Sequence, residues 1–189
     1  MDCRLLLISG SLRTKSTNSA ALRTAAQLAP PGFDVVVYDG LATLPHFNPD
    51  DDTGAVPVAV RALRAEIHAA GALLISTPEY AGALPGSFKN LLDWTIGDEE
   101  PGSIYEKPVA WINASTRGAR AAHDELRRVL GYAHATIVEP ACVATPITDG
   151  MIGDDRVVTT PGARETIARS VATLAAHARC GHLTPASVP

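Results

Sequence analysis

The stretch RLLLISGSLRTKSTN, residues 4–18, decides the fold of this chain. Residues 4–9 form a continuous apolar run that ends at Gly10, as is typical of a strand buried on both faces of a sheet. The loop after Gly10 is small and polar, and from Asn18 onward apolar residues recur at helical spacing until Pro30. The stretch therefore predicts a buried strand, a polar loop and a helix, the opening unit of an α/β fold.

The same alternation continues along the chain. Further apolar runs predict strands at residues 35–37, 72–77, 108–113 and 135–144, the last interrupted by Pro140. Helical stripes span residues 18–29, 56–70, 84–92, 122–130 and 163–178. Five strands that alternate with five helices predict a parallel sheet covered on both faces, a three-layer α/β sandwich.

Length and charge bound the remaining properties. The 189 residues, 46% of them hydrophobic, predict one domain over residues 1–189, with a loosely ordered tail at 181–189. A formal charge of -4 with scattered basic residues offers no field for nucleic acid. No apolar run reaches the ~20 residues of a membrane span, and the first strand starts where a signal peptide would lie. We therefore expect a cytoplasmic protein with no nucleic-acid or membrane partner.

The predicted element order also predicts where a ligand binds. In the flavodoxin-like strand order 2-1-3-4-5, the chain reverses direction between strands one and three, and a crevice opens at their carboxyl ends. The loops after strands one, three and four should therefore carry the chemistry. The six histidines and three cysteines show no metal-ligand spacing, so we expect no metal.

The loop after strand one is suited to an anion. Free backbone N–H groups and the helix dipole favour negative charge at a helix start, and a guanidinium adds a fixed fork. The candidate residues are Ser11, Arg13, Ser16, Thr17 and Asn18. The loop matches neither GxxxxGK[ST] nor GxGxxG, which argues against ATP and a dinucleotide site. The alternative is an ordinary hydroxyl-capped helix with an exposed arginine.

The loop after strand three, residues 77–86, contains two prolines and two glycines that fix an unusual backbone path. Such a path can present amides to a flat ring, and Tyr80 is a candidate to pack on that ring. The alternatives are that Tyr80 is a partly buried core aromatic and that Glu79 is a solvated charge.

Two motifs resemble those of the NADPH-dependent FMN reductases, a family with members that reduce quinones, chromate and azo dyes. The first is GSLR at residues 10–13 with S-x-N at 16–18. The second is PEY-x-G-x-x-PG-x-x-KN-x-x-DW at residues 78–94. The resemblance in element order covers about residues 3–178 and implies a flavodoxin-like fold that binds FMN.

The resemblance also assigns roles to the loops. It implies that the first loop grips the FMN phosphate and that the second lies along the ring, through Pro78, Glu79, Tyr80, Ala81 and Gly82. Many relatives have Asn where this chain has Ala81, so a side-chain contact to the flavin edge is lost.

The third loop departs further from the family. From the SxxGxxGG pattern only Ser115 and Gly118 remain, and both are assigned to FMN. Three roles are open for Arg117: it replaces glycine contacts, meets a nicotinamide phosphate, or is a solvated charge at a helix start.

The implied activity is hydride transfer from NADPH or NADH through FMN to free flavin, a quinone or another small acceptor. No catalytic side chain is assigned, because the cofactor performs the chemistry. Two alternatives stay open: a flavodoxin-type electron carrier that does not oxidise nicotinamide, and the same fold without a cofactor.

The sequence also predicts a homodimer or homotetramer that associates through the third helix. Phe88, Leu91, Leu92 and Trp94 lie within barely three turns, more apolar surface than one helix face readily buries. The alternative is that Trp94 closes the core of the monomer.

Overall fold

The computed structural model describes residues 3–96 and 102–179. In this part of the chain the strands are Cys3–Ser9 (β1), Phe33–Tyr38 (β2), Ala70–Ser76 (β3), Pro108–Asn113 (β4), Thr136–Ile137 (β5) and Val143–Ala144 (β6). The α-helices are Thr17–Leu28 (α1), Val58–Ala69 (α2), Gly86–Asp93 (α3), Arg120–Tyr132 (α4) and Pro161–Ala175 (α5). The predicted tail, residues 181–189, lies outside the described residues.

The strands form one parallel sheet in the order β2-β1-β3-β4-β5, with β6 also paired to β4. Side chains alternate across β1: Leu5 and Leu7 pack with α1 and α5, whereas Leu6 and Ile8 pack with α2, α3 and α4. The sheet therefore has an apolar core on each face, and the predicted flavodoxin-like three-layer sandwich is confirmed. No helix in the described residues is long and apolar enough to cross a membrane.

The predicted fifth strand consists of two separate strands. Residues 139–141 form a 3-10 turn, since Pro140 has no N–H to donate to a ladder. The chain then returns to the same side of β4, where Val143 pairs with Ile112. The sheet thus has six strands, and the segment after β6 reaches the carboxyl edge of the sheet.

The apolar residues of α3 belong to the core of this chain. Phe88, Leu91, Leu92 and Trp94 are each 2% exposed or less. The loop after β2 covers them: the Pro45 carbonyl accepts hydrogen bonds from the Trp94 indole at 2.9 Å and from the Asn90 amide. The expectation that these side chains leave surplus apolar surface is wrong, and Trp94 closes the monomer core.

Candidate functional site

A crevice of about 610 Å³ opens at the carboxyl edge of the sheet. Three of the segments that line it are the loops after β1, β3 and β4. Eleven of the twelve residues predicted for cofactor binding line this crevice: Ser11, Arg13, Ser16, Thr17, Asn18, Pro78, Glu79, Tyr80, Ala81, Gly82 and Ser115. Gly118 does not line it.

The first loop lies directly against the end of β3. A Cβ atom at Gly10 would lie 2.3 Å from Thr77 Oγ1 and 3.0 Å from the Phe88 ring, so only glycine fits here. The Gly10 N–H donates to the Ser76 carbonyl at 2.9 Å. The glycine of the first motif is therefore required by the close approach of two loops.

Free donors converge at the start of α1. Ser16 caps the helix by accepting from the Ser19 N–H, whereas the N–H groups of Thr17 and Asn18 have no acceptor among the described residues. Ser11 Oγ accepts from the Arg13 N–H, so the hydroxyl hydrogens of Ser11 and Ser16 remain available. Both serines are buried, and the Arg13 side chain is exposed. The arrangement suits a phosphate.

The second loop turns sharply between Tyr80 and Ala83, which exchange backbone hydrogen bonds of 3.1 Å in both directions. Ala81 (φ 51°) and Gly82 (φ 72°) occupy the central positions, and positive φ at both is the signature of a type I′ turn. Tyr80 is 47% exposed, so it is not a core aromatic.

Two carboxylates join the second loop to α4. Glu79 Oε2 accepts from the Ala122 N–H at 3.1 Å, and Glu125 Oε2 accepts from the Leu84 N–H at 2.7 Å. No side chain of α4 caps its own first turn, so Glu79 supplies this cap from 43 residues away. Glu79 is thus a bonded, half-buried group, not a solvated charge.

The third loop is held by its own side chains. Asn113 donates to the Gly118 carbonyl at 2.6 Å and accepts from the Ser115 N–H at 3.0 Å. Gly118 has φ 90°, so its role is to turn the backbone. Thr116 and Arg117 line the crevice from this loop.

Sequence reasoning missed a fourth lining segment, which contributes Ile147, Thr148 and Asp149. It lies beside β4 because the Thr145 N–H donates to Asn113 and the Ile147 N–H to Ala114. Two signals could have found this segment. Pro140 separates β6 from β5 in the sequence, and the rule that ligands bind at the carboxyl ends of parallel strands applies to β6 as well.

Behind the second loop lies a buried histidine. His123 is 8% exposed, and its Nδ1 lies 2.8 Å from the Ala119 carbonyl. Because a carbonyl only accepts, Nδ1 carries a hydrogen, and in the neutral imidazole Nε2 then carries none. Nε2 is buried and has no partner among the described residues. Burial lowers the pKa of His123 and is only partly opposed by the hydrogen bond to Ala119 and the charge of Glu79.

A second hollow, of about 350 Å³, lies beside α2 and is lined partly by Arg61 and Arg64. Its arginines are already engaged: Arg64 pairs with Asp52 at 2.7 Å, and Arg61 donates to the Val56 carbonyl at 2.5 Å. The charge of Arg64 is therefore already balanced by a carboxylate, whereas Arg61 is held, among the described residues, only by a neutral carbonyl.

The large crevice has the size of a ligand pocket. Free hydrogen-bond donors suited to a phosphate lie at one end, and an exposed aromatic side chain lies beside a rigid turn. Together with the strand order, these features define a flavodoxin-like nucleotide-binding protein.

Comparison with known proteins gives the family. Residues 3–149 match the family model described as NADPH-dependent FMN reductase. An NAD(P)H-dependent FMN reductase of Pseudomonas aeruginosa is 42% identical over 69% of this chain and 71% of its own length. A 2-hydroxy-1,4-benzoquinone reductase of a Burkholderia species is 34% identical over 70% and 72%.

The solved structure of FerB, a flavoenzyme NAD(P)H:(acceptor) oxidoreductase of Paracoccus denitrificans, superposes with a TM-score of 0.78 at 25% identity. The superposition covers 94% of this chain and 100% of the FerB chain. This chain belongs to the NADPH-dependent FMN reductase family. It is an oxidoreductase with FMN as cofactor and NAD(P)H as reductant.

Proposed function

We propose that the crevice binds FMN with its phosphate at the start of α1 and its ring beside the second loop. The observation that carries this proposal is the set of unused donors at one point: two backbone N–H groups, two buried serine hydroxyls and Arg13. Asn18 is fixed for the same task, since its side chain lies 2.9 Å from Ser76 Oγ.

The second and third loops hold the ring end of the crevice. Pro78, Glu79, Tyr80, Ala81 and Gly82 line the crevice from the second loop, and Ser115 lines it from the third loop. FMN, when bound, supplies a group that accepts hydride from a nicotinamide and passes reducing equivalents on. The role of this chain is to hold and orient the reactants. Two hydrogen bonds between the second loop and α4, from the Ala122 N–H to Glu79 and from the Leu84 N–H to Glu125, keep that loop in place.

The acceptor that we propose is a quinone, a free flavin or another small oxidised molecule. The support is the solvent exposure of Tyr80, which lines the crevice. Because the crevice is open there, a flat acceptor can reach the same place as the nicotinamide. The relatives are reductases, which favours an enzyme over an electron carrier.

An anaerobic absorbance experiment tests this function. In purified protein reconstituted with FMN, the flavin absorbance should bleach when NADPH or NADH is added alone. A quinone or free FMN added afterwards should restore the colour. Steady-state plots at several acceptor concentrations should be parallel, because one crevice serves both half-reactions in turn. An electron carrier stays yellow with NAD(P)H, and that result would reject the enzyme.

Arg13→Ala tests the position of the phosphate. A hydrogen bond to a charged group contributes about 1.5–3 kcal/mol, so FMN affinity should fall by roughly 10- to 150-fold. Riboflavin affinity should not change, because riboflavin has no phosphate. Lys15→Ala is the matched control, since Lys15 is exposed on the same loop but does not line the crevice. Equal losses for FMN and riboflavin would contradict the phosphate site.

We also propose a homodimer or homotetramer. With the apolar side chains of α3 buried, the support is now two other side chains, on the loops after β1 and β2: Leu12 is 55% exposed and Phe47 37%. Light scattering at micromolar concentration tests this, and a monomer mass would contradict it. The location that we propose is the cytoplasm, where NAD(P)H is available, and fractionation of cells tests it.

A further inference from the structure

The crevice is lined by two arginines, of which the FMN phosphate accounts for one. Arg13 follows β1 and Arg117 follows β4, with β3 between them in the sheet. Strands lie about 4.8 Å apart, so the ends of β1 and β4 are separated by roughly 10 Å. Both side chains are exposed, and no ion pair in residues 3–96 and 102–179 includes either.

The loop that carries Arg117 has a fixed shape. The Arg117 N–H donates to Ser115 Oγ at 3.1 Å, and Asn113 binds both ends of the loop. These bonds use backbone and short side chains, and the guanidinium has no hydrogen-bond partner among the described residues. A rigid loop thus presents a long unpaired cation at the crevice.

Acidic and basic side chains are balanced in the lining of the crevice. Arg13 and Arg117 face Glu79 and Asp149 in the same crevice, so the charged side chains of the lining sum to zero. Without Arg117 the sum would be -1, and FMN adds the negative charge of its phosphate. Bound FMN therefore makes the crevice negative even with Arg117 in place, and Arg117 reduces the repulsion that a second anionic ligand meets there.

We propose that Arg117 binds a phosphate group of the nicotinamide nucleotide. The inference rests on the proposed function, in which the phosphate of FMN lies at the start of α1. NADH carries a pyrophosphate, and NADPH carries a 2′-phosphate in addition. The planar guanidinium fork matches the oxygens of either group. Arg117 is therefore a residue that determines affinity for the reductant.

Titration calorimetry on the FMN-loaded protein tests the proposal, with NADP⁺ and NAD⁺ as probes. Arg117→Ala should weaken NADP⁺ binding by about tenfold or more, the equivalent of one hydrogen bond to a charged group. Weakening of NADP⁺ alone identifies the 2′-phosphate, and weakening of both probes identifies the pyrophosphate. Arg117→Lys should restore part of the affinity, since lysine keeps the charge and loses the fork.

Arg120→Ala is the matched control. Arg120 is exposed at the first residue of α4, three positions further on, and does not line the crevice. Unchanged nucleotide affinity in Arg117→Ala would overturn the proposal, as would an equal loss in Arg120→Ala. A loss of FMN affinity alone would assign Arg117 to the FMN site instead. Failure of the wild-type protein to bind FMN or to bleach with NADPH would reject the proposed function itself, a result distinct from any of these.

Discussion

Ala81 should be replaceable by glycine or asparagine with a gain in stability. It occupies the first central position of the type I′ turn at φ 51°, where a side chain with Cβ costs roughly 1–2 kcal/mol. Glycine removes that cost but adds chain entropy worth about 0.4–1 kcal/mol to the unfolded state. The expected net gain for Ala81→Gly is therefore about 0.5–1 kcal/mol. Ala81 is exposed, so no packing is lost.

The assay is urea unfolding of the FMN-free protein, supported by the midpoint of thermal unfolding. A gain of 0.5–1 kcal/mol should raise Tm by about 1–4 °C in a chain of this size. Ala81→Asn should gain at least as much, because asparagine tolerates positive φ and keeps the unfolded chain stiffer than glycine does.

Ala83→Gly is the matched control in the same turn. Ala83 is not among the residues with positive φ, so glycine should destabilise there by about 0.5–1 kcal/mol. The two substitutions are chemically identical and two residues apart, and they should have opposite signs. Equal destabilisation by both would refute the assignment of backbone strain to Ala81.

Three further predictions concern the groups that hold the loops. Glu125→Ala should destabilise the protein by about 1–3 kcal/mol in urea unfolding, because the buried Leu84 N–H loses its acceptor; Glu125→Gln keeps an acceptor and should lose less. Gly10→Ala should destabilise the protein by about 1–3 kcal/mol through overpacking. Gly86→Ala is its control and should be nearly neutral, because no atom lies within 4 Å of the added Cβ. A neutral Gly10→Ala would contradict the close approach of the two loops. Burial lowers the pKa of His123 below 6.5 in the folded state, so the unfolded state binds the proton first and stability should fall as pH drops below about 6.5. His123→Leu should make that fall less steep, and an unchanged slope of stability against pH would show that His123 does not titrate on unfolding.

Most of the fold was predictable because its patterns are local. A strand buried on both faces reads as an apolar run, and a helix beside a sheet reads as a stripe of period 3.6, as in residues 4–9 and 163–178. The strand at 108–113 was predicted with the bounds that the structure has. The split of the fifth strand was missed, since a run of four apolar residues does not say which part of β4 it pairs with.

The candidate site was predictable where its residues follow one another along the chain. The motifs at 10–18 and 78–82 line one crevice because the carboxyl ends of parallel strands meet at one edge. The buried state of Trp94 was not predictable, because it depends on a loop 49 residues away that accepts its N–H.

The sequence by itself thus determined the fold class, the family and two of the loops that line the crevice, at residues 10–18 and 78–82. Each of these depends on residue order within a short segment. Only the tertiary structure decided what Glu79 binds, that Ala81 is strained, and that the segment at 147–149 lines the same crevice. These properties depend on distances between segments that are far apart in the chain, and such distances are set by the packing of helices against the sheet.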